Sequence, residues 1–235
     1  MRFLGRFIRK IISLILIIVF IIAAVLTAGG WLKYKKATED FPISEAAEKI
    51  TSNESFTPVD NISLTFVNAM VAVEDRRFHK HNGVDIPGVI RALVTNIKEK
   101  SLIEGGSCIT QQLAKNMYFI NDNTLTRKIA EIFVAVELEK IYSKKEILEL
   151  YFNSIYYGSG YYNIADATYG YFGKSPYDIS DYEATLLAGI PNAPSVYSLD
   201  NNPHLAKQRQ KRVVEAMLSV NYLTQEEADA ILMQQ

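Results

Sequence analysis

The sequence predicts a mostly α-helical domain attached to a single N-terminal transmembrane helix. From residue 62 onward, apolar residues recur almost everywhere with the spacing of one helix face. No segment shows the strict alternation of apolar and polar residues that marks a half-buried strand. An uncharged apolar run from Ile11 to Ala28 has the composition of a membrane span. A chain of 235 residues is long enough to bury the core of one globular domain.

The composition excludes several classes of protein. The formal net charge is −1, so a nucleic acid is not the expected partner. The chain has one cysteine, Cys108, which rules out an internal disulfide and an all-cysteine metal site. No serine is followed three residues later by lysine, which excludes the acylation site of a penicillin-binding enzyme.

The apolar run is long enough to anchor the chain. With Gly29 to Leu32 it reaches the roughly 20 residues that a helix needs to cross a bilayer. Four basic residues precede it, so we expect a cytoplasmic N-terminus and a domain on the other side of the membrane, outside the cytoplasm. A cleaved signal peptide is the alternative, disfavoured by the bulky Leu26 at the cleavage position. The predicted organisation is a cytoplasmic N-terminus (1–10), an anchor (11–32), a polar juxtamembrane stalk (33–60) and the folded domain (61–235).

Spacing and capping signals place the helices in order. A short helix is expected around Ser44 to Ile50 within the stalk. The stripe from Ile62 to Val73 forms the first domain helix, which runs up to Glu74, and the second begins near Pro87. The third follows the glycines at 105 and 106. Later helices are predicted after the capping residues Thr124 and Ser143, around 165–172, 181–190 and 205–220, and after Thr224.

The run from Gly105 to Asn116 combines a tight turn with a helix start. The two glycines permit the turn, and Ser107 is placed to cap the helix. One stripe of this helix is apolar, and the opposite stripe carries Cys108, Gln111, Gln112 and Lys115. A helix N-terminus with a lysine two turns later is suited to bind an anion. A nucleotide-binding loop is a rival, but the Gly-Lys-Ser/Thr ending that such loops need is missing.

Two acids are candidates for chemistry. Glu74 ends a helix, where the helix dipole favours the protonated carboxyl and so raises its pKa. This position suits a general base. The alternative is a solvated turn in which the charges balance. Glu131 lies one turn after Arg127, and alone this would be a surface ion pair. Two separated acids with clustered cations suit glycosyl transfer at an anionic leaving group. The core face of the Glu131 helix is predicted to be the opposite one, with Ile129, Ile132, Phe133 and Val136.

Several tyrosines after Asn153 leave two alternatives open. They form either a platform on which sugars stack or part of the wall of the core. The residues are Tyr156, Tyr157, Tyr161, Tyr162, Tyr169 and Tyr171.

Three blocks of the sequence resemble the signature motifs of a known family. They are Glu74-Asp75-x-x-Phe78-x-x-His81-x-Gly83-x-Asp85, Gly105-Gly106-Ser107-x-Ile109-Thr110-Gln111-Gln112-Leu113-x-Lys115-Asn116 and Arg127-Lys128-x-x-Glu131. In these blocks and their order, the chain is similar to glycosyltransferase family 51, the peptidoglycan glycosyltransferases, which occur alone or as the front half of bifunctional penicillin-binding proteins. Further similarity at 151–174 and 183–195 extends the resemblance over residues 62 to 218.

The resemblance implies a lysozyme-like fold and the polymerisation of lipid II into β-1,4-linked glycan strands. By it, Glu74 is the general base that takes the proton from the acceptor hydroxyl, and the anomeric carbon inverts as undecaprenyl pyrophosphate leaves. Glu131 is implied as a second catalytic acid that positions substrate or a divalent cation, Mg²⁺ or Mn²⁺. The departing pyrophosphate would be held by Ser107, Gln111, Gln112, Lys115 and Arg127, and the site would be shaped by Asp75, Phe78, His81, Thr110 and Asn116.

The implied partners are lipid II, the growing glycan on undecaprenyl pyrophosphate, the bacterial membrane, and proteins of cell-wall synthesis and division. Cys108 departs from the family, which usually has threonine there, and Asn163 stands where glycine is common. No transpeptidase domain follows before Gln235, so the monofunctional form is expected. A lytic muramidase and a non-catalytic module that binds lipid II or cell-wall enzymes are the alternative functions.

Overall fold

The protein is almost entirely helical. A computed structural model describes the backbone of residues 2–99 and 105–234, and the side chains of 10–98 and 105–234. The described residues contain no strand, which confirms the mostly α fold class. The α-helices are α1 (Arg2–Asp40), α2 (Ile43–Thr51), α3 (Leu64–Glu74), α4 (Ile86–Glu99), α5 (Ile109–Tyr118), α6 (Leu125–Ile141), α7 (Lys144–Phe152), α8 (Ile164–Phe172), α9 (Asp181–Ala188), α10 (Pro194–Tyr197), α11 (Pro203–Ser219) and α12 (Gln225–Met233).

The N-terminal helix is longer than the predicted anchor. Its segment Lys10–Asp40 is long and apolar enough to cross a membrane, with a mean hydropathy of 3.2 in its most apolar window. The end of α1 packs closely on α6, because Gly30 brings the two backbones together next to Ile129. Lys33 forms an ion pair with Asp122, in the turn before α6. The first part of the predicted stalk is therefore helix docked on the domain.

The rest of the predicted stalk also packs against the domain. The expected short helix is present as α2, and it buries Ile43, Ala46 and Ala47. The chain after it is held at the C-terminal end of α7, where the cap residue Asn153 accepts a hydrogen bond from the Thr57 amide at 2.9 Å. Residues 41–60 are thus part of the folded unit, because the apolar spacing of α2 gives it a face to bury.

The core lies between α3, α5, α6, α7, α9 and α11. Helix α3 packs on α9 and α11, and α5 packs on α6 and α7. The largest fully buried side chains on these helices include Phe66, Met70, Leu113, Leu138, Tyr151, Phe152 and Leu187. The sequence-predicted capping residues Thr124, Ser143 and Thr224 each accept a hydrogen bond from the third residue of their helix. The local signals therefore fix the starts of α6, α7 and α12.

Helix α6 buries the face that was predicted to be outward. Val134 and Leu138 are fully buried, together with Glu131. The predicted core stripe is only partly buried, and its Ile129 and Phe133 contact α1 instead. The prediction of the core face was wrong because α6 lies between α1 and the core, so both of its faces are apolar and periodicity alone does not rank them.

Helix α4 presents an apolar face to solvent. Its exposed large side chains are Ile86, Val89, Ile90, Leu93, Val94 and Ile97. They share one side of the helix, since they recur at the spacing of one helical face.

Candidate active site

A cleft of about 1330 Å³ opens where α3 ends and where α5 and α6 begin, and α11 forms its opposite wall. Among the described residues that line it, eight side chains are cationic and three are acidic. This excess of positive charge makes the cleft attractive to anions. The cations are Arg76, Arg91, Lys115, Arg127, Lys128, Arg209, Lys211 and Arg212, and the acids are Glu74, Glu131 and Glu215.

Glu74, the last residue of α3, lies in this cleft. Its Oε2 accepts a hydrogen bond of 2.7 Å from Gln112 Nε2. Its Oε1 is buried and has no hydrogen-bond partner among the described residues. Burial raises the pKa of Glu74, the hydrogen bond from Gln112 and the charge of Arg209 act against this rise, and the charge of Asp75 adds to it. Glu74 therefore has one oxygen held in place and one oxygen available to take a proton.

Asp75, the next residue, points away from the cleft. Its carboxylate accepts hydrogen bonds from His81 Nε2 at 2.9 Å and from the backbone N–H of Ile109 at 3.1 Å. Asp75 therefore caps the N-terminus of α5 from a distant part of the chain. The prediction that Ser107 caps this helix was wrong. Cys108 occupies the cap position, its side chain makes no capping hydrogen bond, and Ser107 accepts from Lys128 Nζ at 2.6 Å.

The polar stripe of α5 divides between the cleft and the interior. Cys108 Sγ and Gln111 Nε2 both donate to the Gly83 carbonyl, each at 3.2 Å. Gln111 still borders the cleft, whereas Cys108 does not, so its predicted place on the anion-binding stripe was wrong. Burial raises the pKa of Cys108 to about 12, which keeps the thiol protonated. Gln112 and Lys115 also line the cleft, where the amide of Gln112 is held by Glu74 and the ammonium of Lys115 remains for a ligand.

Arg127 and Glu131 form a partly buried pair rather than a surface pair. Glu131, 1% exposed, accepts from Arg127 Nη1 at 2.7 Å and from Lys128 Nζ at 2.8 Å. Both carboxylate oxygens are thus occupied by cations. These three residues do not fit the predicted divalent cation, since a metal at Glu131 would have to displace Arg127 or Lys128.

The predicted site-shaping residues lie at different depths. Phe78 is fully buried, and Thr110 is buried with its hydroxyl donating to Glu139 at 2.6 Å, so both support the site from behind. Asn116 borders the cleft itself. Asn163, the departure from glycine, is the N-cap of α8 with φ −150°, a backbone conformation that any residue adopts.

The tyrosines after Asn153 divide between the core and the cleft. Tyr157 is fully buried, which is the core-wall alternative. Tyr156 and Tyr162 line the cleft with ring centroids 4.7 Å apart, and for these two residues the sugar-stacking alternative stays a prediction.

Sequence reasoning assigned no role to six of the eight described cations that line the cleft, and two of these six bear on the acids of the site. Lys128 lies three residues before Glu131, a helical spacing that signals the contact. Arg209 comes from α11, far along the chain from Glu74, and no local pattern joins the two. Its Nε is buried without a hydrogen-bond partner among the described residues.

Comparison with known proteins decides the family. Residues 42–218 match the family model described as transglycosylase. The chain belongs to the transglycosylase family. The match begins at the start of α2, in agreement with the packing of α2 on the domain. The lysozyme-like fold implied by the resemblance is the fold of this transglycosylase domain.

Curated relatives agree with the assignment. The transglycosylase is 39% identical over 198 residues to a Cupriavidus necator protein whose name, given provisionally, is also transglycosylase. The match covers 84% of this chain and 85% of the relative. It is 42% identical over 172 residues to penicillin-binding protein 1A of Aquifex aeolicus and 43% identical over 177 residues to penicillin-binding protein 2D of Bacillus subtilis. These matches cover 73% and 75% of this chain, but only 24% and 26% of the two penicillin-binding proteins.

Proposed function

We propose that this transglycosylase polymerises lipid II into β-1,4-linked glycan strands, with inversion at the anomeric carbon and release of undecaprenyl pyrophosphate. One observation carries the proposal: Glu74, whose Oε1 has no hydrogen-bond partner in the described part of the chain, and the cations of α5 and α6 line the same cleft. A glycosyl transfer from a pyrophosphate needs a base for the acceptor and positive charge for the leaving group.

Each reacting group has a residue in the cleft to receive it. Glu74 Oε1 takes the proton from the acceptor hydroxyl as its oxygen attacks the anomeric carbon of the donor. The bond between that carbon and the pyrophosphate oxygen breaks, and the electron pair leaves with the pyrophosphate. Lys115, Arg127 and Lys128 stabilise the developing charge, while Glu131 holds Arg127 and Lys128 in position.

The N-terminal helix supports a membrane location for this reaction. Because lipid II carries its pyrophosphate on a lipid, the cleft has to lie near the bilayer. The proposed topology places the residues before the span in the cytoplasm, on the basis of their basic charge, and the catalytic domain outside. Helix α1 packs directly on α6, whose first turns carry Arg127 and Lys128, so it holds the leaving-group cations close to the span.

A lytic muramidase and a non-catalytic module are the competing functions. A muramidase has no pyrophosphate to stabilise, so its activity would not need the cations of the cleft. A binding module would hold lipid II without turnover, and it would not need a glutamate with one unpaired buried oxygen. The charge of the cleft and the environment of Glu74 both favour the polymerase.

The deciding experiment is the conversion of labelled lipid II to glycan chains by the purified full chain. We expect Glu74→Gln to lower the rate by about 10²–10⁴-fold, and Lys115→Ala or Arg127→Ala by about 10²–10³-fold. Lys145→Ala is a matched control, since Lys145 is exposed and pairs with Asp60 outside the cleft. Unchanged polymerisation in Glu74→Gln would refute the base assignment. Assays with EDTA and with added Mg²⁺ or Mn²⁺ test whether the reaction needs the divalent cation that the resemblance implied, which the pairing of Glu131 with Arg127 and Lys128 does not favour.

A further inference from the structure

A fully buried tyrosine contacts the residue that holds Glu74. Tyr151 lies on α7, and its hydroxyl is 2.9 Å from Gln112 Oε1. The other end of the same amide, Gln112 Nε2, lies 2.7 Å from Glu74 Oε2. The three side chains therefore form one line of hydrogen bonds that leads from the core of the domain into the cleft.

The chemistry of the three groups fixes the direction of these hydrogen bonds. A tyrosine hydroxyl has one proton to donate. For Tyr151, the acceptor of that proton is Gln112 Oε1. If the amide of Gln112 were turned around, its NH₂ group would face Tyr151 and the buried hydroxyl proton would lose this acceptor. The amide oxygen would then face Glu74, where it would repel the carboxylate and favour the protonated acid. Tyr151 thus favours the orientation in which the NH₂ group donates to Glu74.

We propose that Tyr151 is a positioning residue that fixes the amide of Gln112 with its NH₂ group towards Glu74, and so keeps the base ready to accept a proton. The inference rests on the proposed function of Glu74 as the general base. It adds a residue that touches neither substrate nor the reacting atoms and acts through Gln112.

The groups around Glu74 determine how a substitution at Tyr151 can affect the protonation of Glu74. From α5 the facing group is the uncharged Gln112, from α11 it is Arg209, and from the chain after α3 it is Asp75. Burial raises the pKa of Tyr151 well above its usual value, so Tyr151 stays neutral at any working pH. The loss of its hydroxyl therefore changes no charge, and an effect on Glu74 has to pass through the orientation of Gln112.

The test is the variant Tyr151→Phe in the full chain, with Tyr157→Phe as its control. Both tyrosines are fully buried, but the hydroxyl of Tyr157 donates to the Phe152 carbonyl and does not contact Gln112. Two quantities are measured against pH: the rate of lipid II polymerisation, and the ¹³C shift of the Glu74 carboxyl carbon, assigned with Glu74→Gln. We expect Tyr151→Phe to move both midpoints upward by about half a pH unit to one unit. The lost activity should return at higher pH.

Defined outcomes would overturn the inference. A loss of rate that is equal at every pH, or a Glu74 titration that is the same in Tyr151→Phe and Tyr157→Phe, would mean that Tyr151 only packs. In the background of Gln112→Leu, Tyr151→Phe should cause no further shift, and an additional shift would also contradict the inference. If the wild-type chain made no polymer, the proposed function would fail, while the carboxyl titration would still decide the role of Tyr151.

Discussion

Replacing Gly30 with alanine should weaken the packing of the membrane helix on the catalytic domain. A Cβ atom at Gly30 would lie 2.5 Å from Ile129 Cγ2, 2.6 Å from Ile129 Cβ and 3.1 Å from the Thr126 carbonyl oxygen. Ordinary contacts of this kind are 3.4–4 Å long. Ile129 Cβ and the Thr126 carbonyl are fixed to the α6 backbone, so a rotamer change does not relieve the contact. The two helices have to move apart by about 1 Å.

The size of the effect follows from two opposing terms. Overpacking of a well-filled contact costs about 1–3 kcal/mol. Alanine in place of glycine inside a helix returns about 0.5–1 kcal/mol. We therefore expect a net loss of about 1–2 kcal/mol in the free energy of unfolding. For a chain of this length, that loss corresponds to a fall in Tm of about 2–8 °C.

Trp31 provides the assay. It is the one tryptophan of the chain and follows Gly30 directly, and its ring lies 5.1 Å from the rings of Tyr34 and Phe133. Thermal unfolding in detergent, followed by Trp31 fluorescence and by far-UV circular dichroism, reports the α1–α6 contact and the whole domain separately. We expect the fluorescence transition to fall most in Gly30→Ala.

Gly29→Ala is the matched control. The added Cβ would lie 2.9 Å from Thr126 Cγ2, a side-chain methyl that can rotate away, and 3.8 Å from Thr126 Cβ. Its effect should be clearly smaller than that of Gly30→Ala. A rise in Tm for Gly30→Ala, or equal shifts for the two variants, would refute the close contact between α1 and α6.

Three further predictions follow from the site. Because burial raises the pKa of Glu74, the ionised side chain lowers stability once the pH rises through that pKa. Glu74→Gln, besides slowing polymerisation, should therefore raise Tm at neutral pH, and this gain in Tm should vanish at low pH; a gain that does not depend on pH would contradict the reasoning. Asp75→Asn should reduce the free energy of unfolding by about 1–3 kcal/mol in denaturant titrations, because an amide cannot replace the carboxylate towards both His81 and Ile109. Asp60→Asn is the matched control, and because Asp60 is exposed this variant should leave the free energy of unfolding nearly unchanged. Because Cys108 is buried, it should react with thiol reagents only when the protein unfolds. Rapid labelling of the folded protein would show instead that the thiol is accessible to solvent.

Local sequence signals predicted most of the helices. The helix starts at Thr124, Ser143 and Thr224 could be predicted because a cap and its helix lie within a few residues of each other. The helix that ends at Glu74 was also predictable, since Phe66, Ala69 and Met70 repeat on one face and are all buried. The face of α6 was not predictable, because its two apolar stripes contact different neighbours.

The sequence predicted which residues form the site better than it predicted which groups those residues contact. Glu74, Gln112, Lys115 and Arg127 line one cleft, as the motifs led us to expect. Sequence reasoning assigned no role to Arg209, which faces Glu74 from α11, because residues far apart in sequence leave no local pattern when they meet.

The sequence by itself determined the helical class, the apolar N-terminal span and the residue types available for chemistry. The tertiary structure decided what each of these residues contacts. In it, Cys108 and Gln111 donate to the Gly83 carbonyl and Asp75 caps α5. One oxygen of Glu74 lies in a cationic cleft with no hydrogen-bond partner among the residues that the structure describes. The physical reason is that helix periodicity specifies which side chains share a face. Hydrogen-bond partners and burial depend on which distant segments pack against that face.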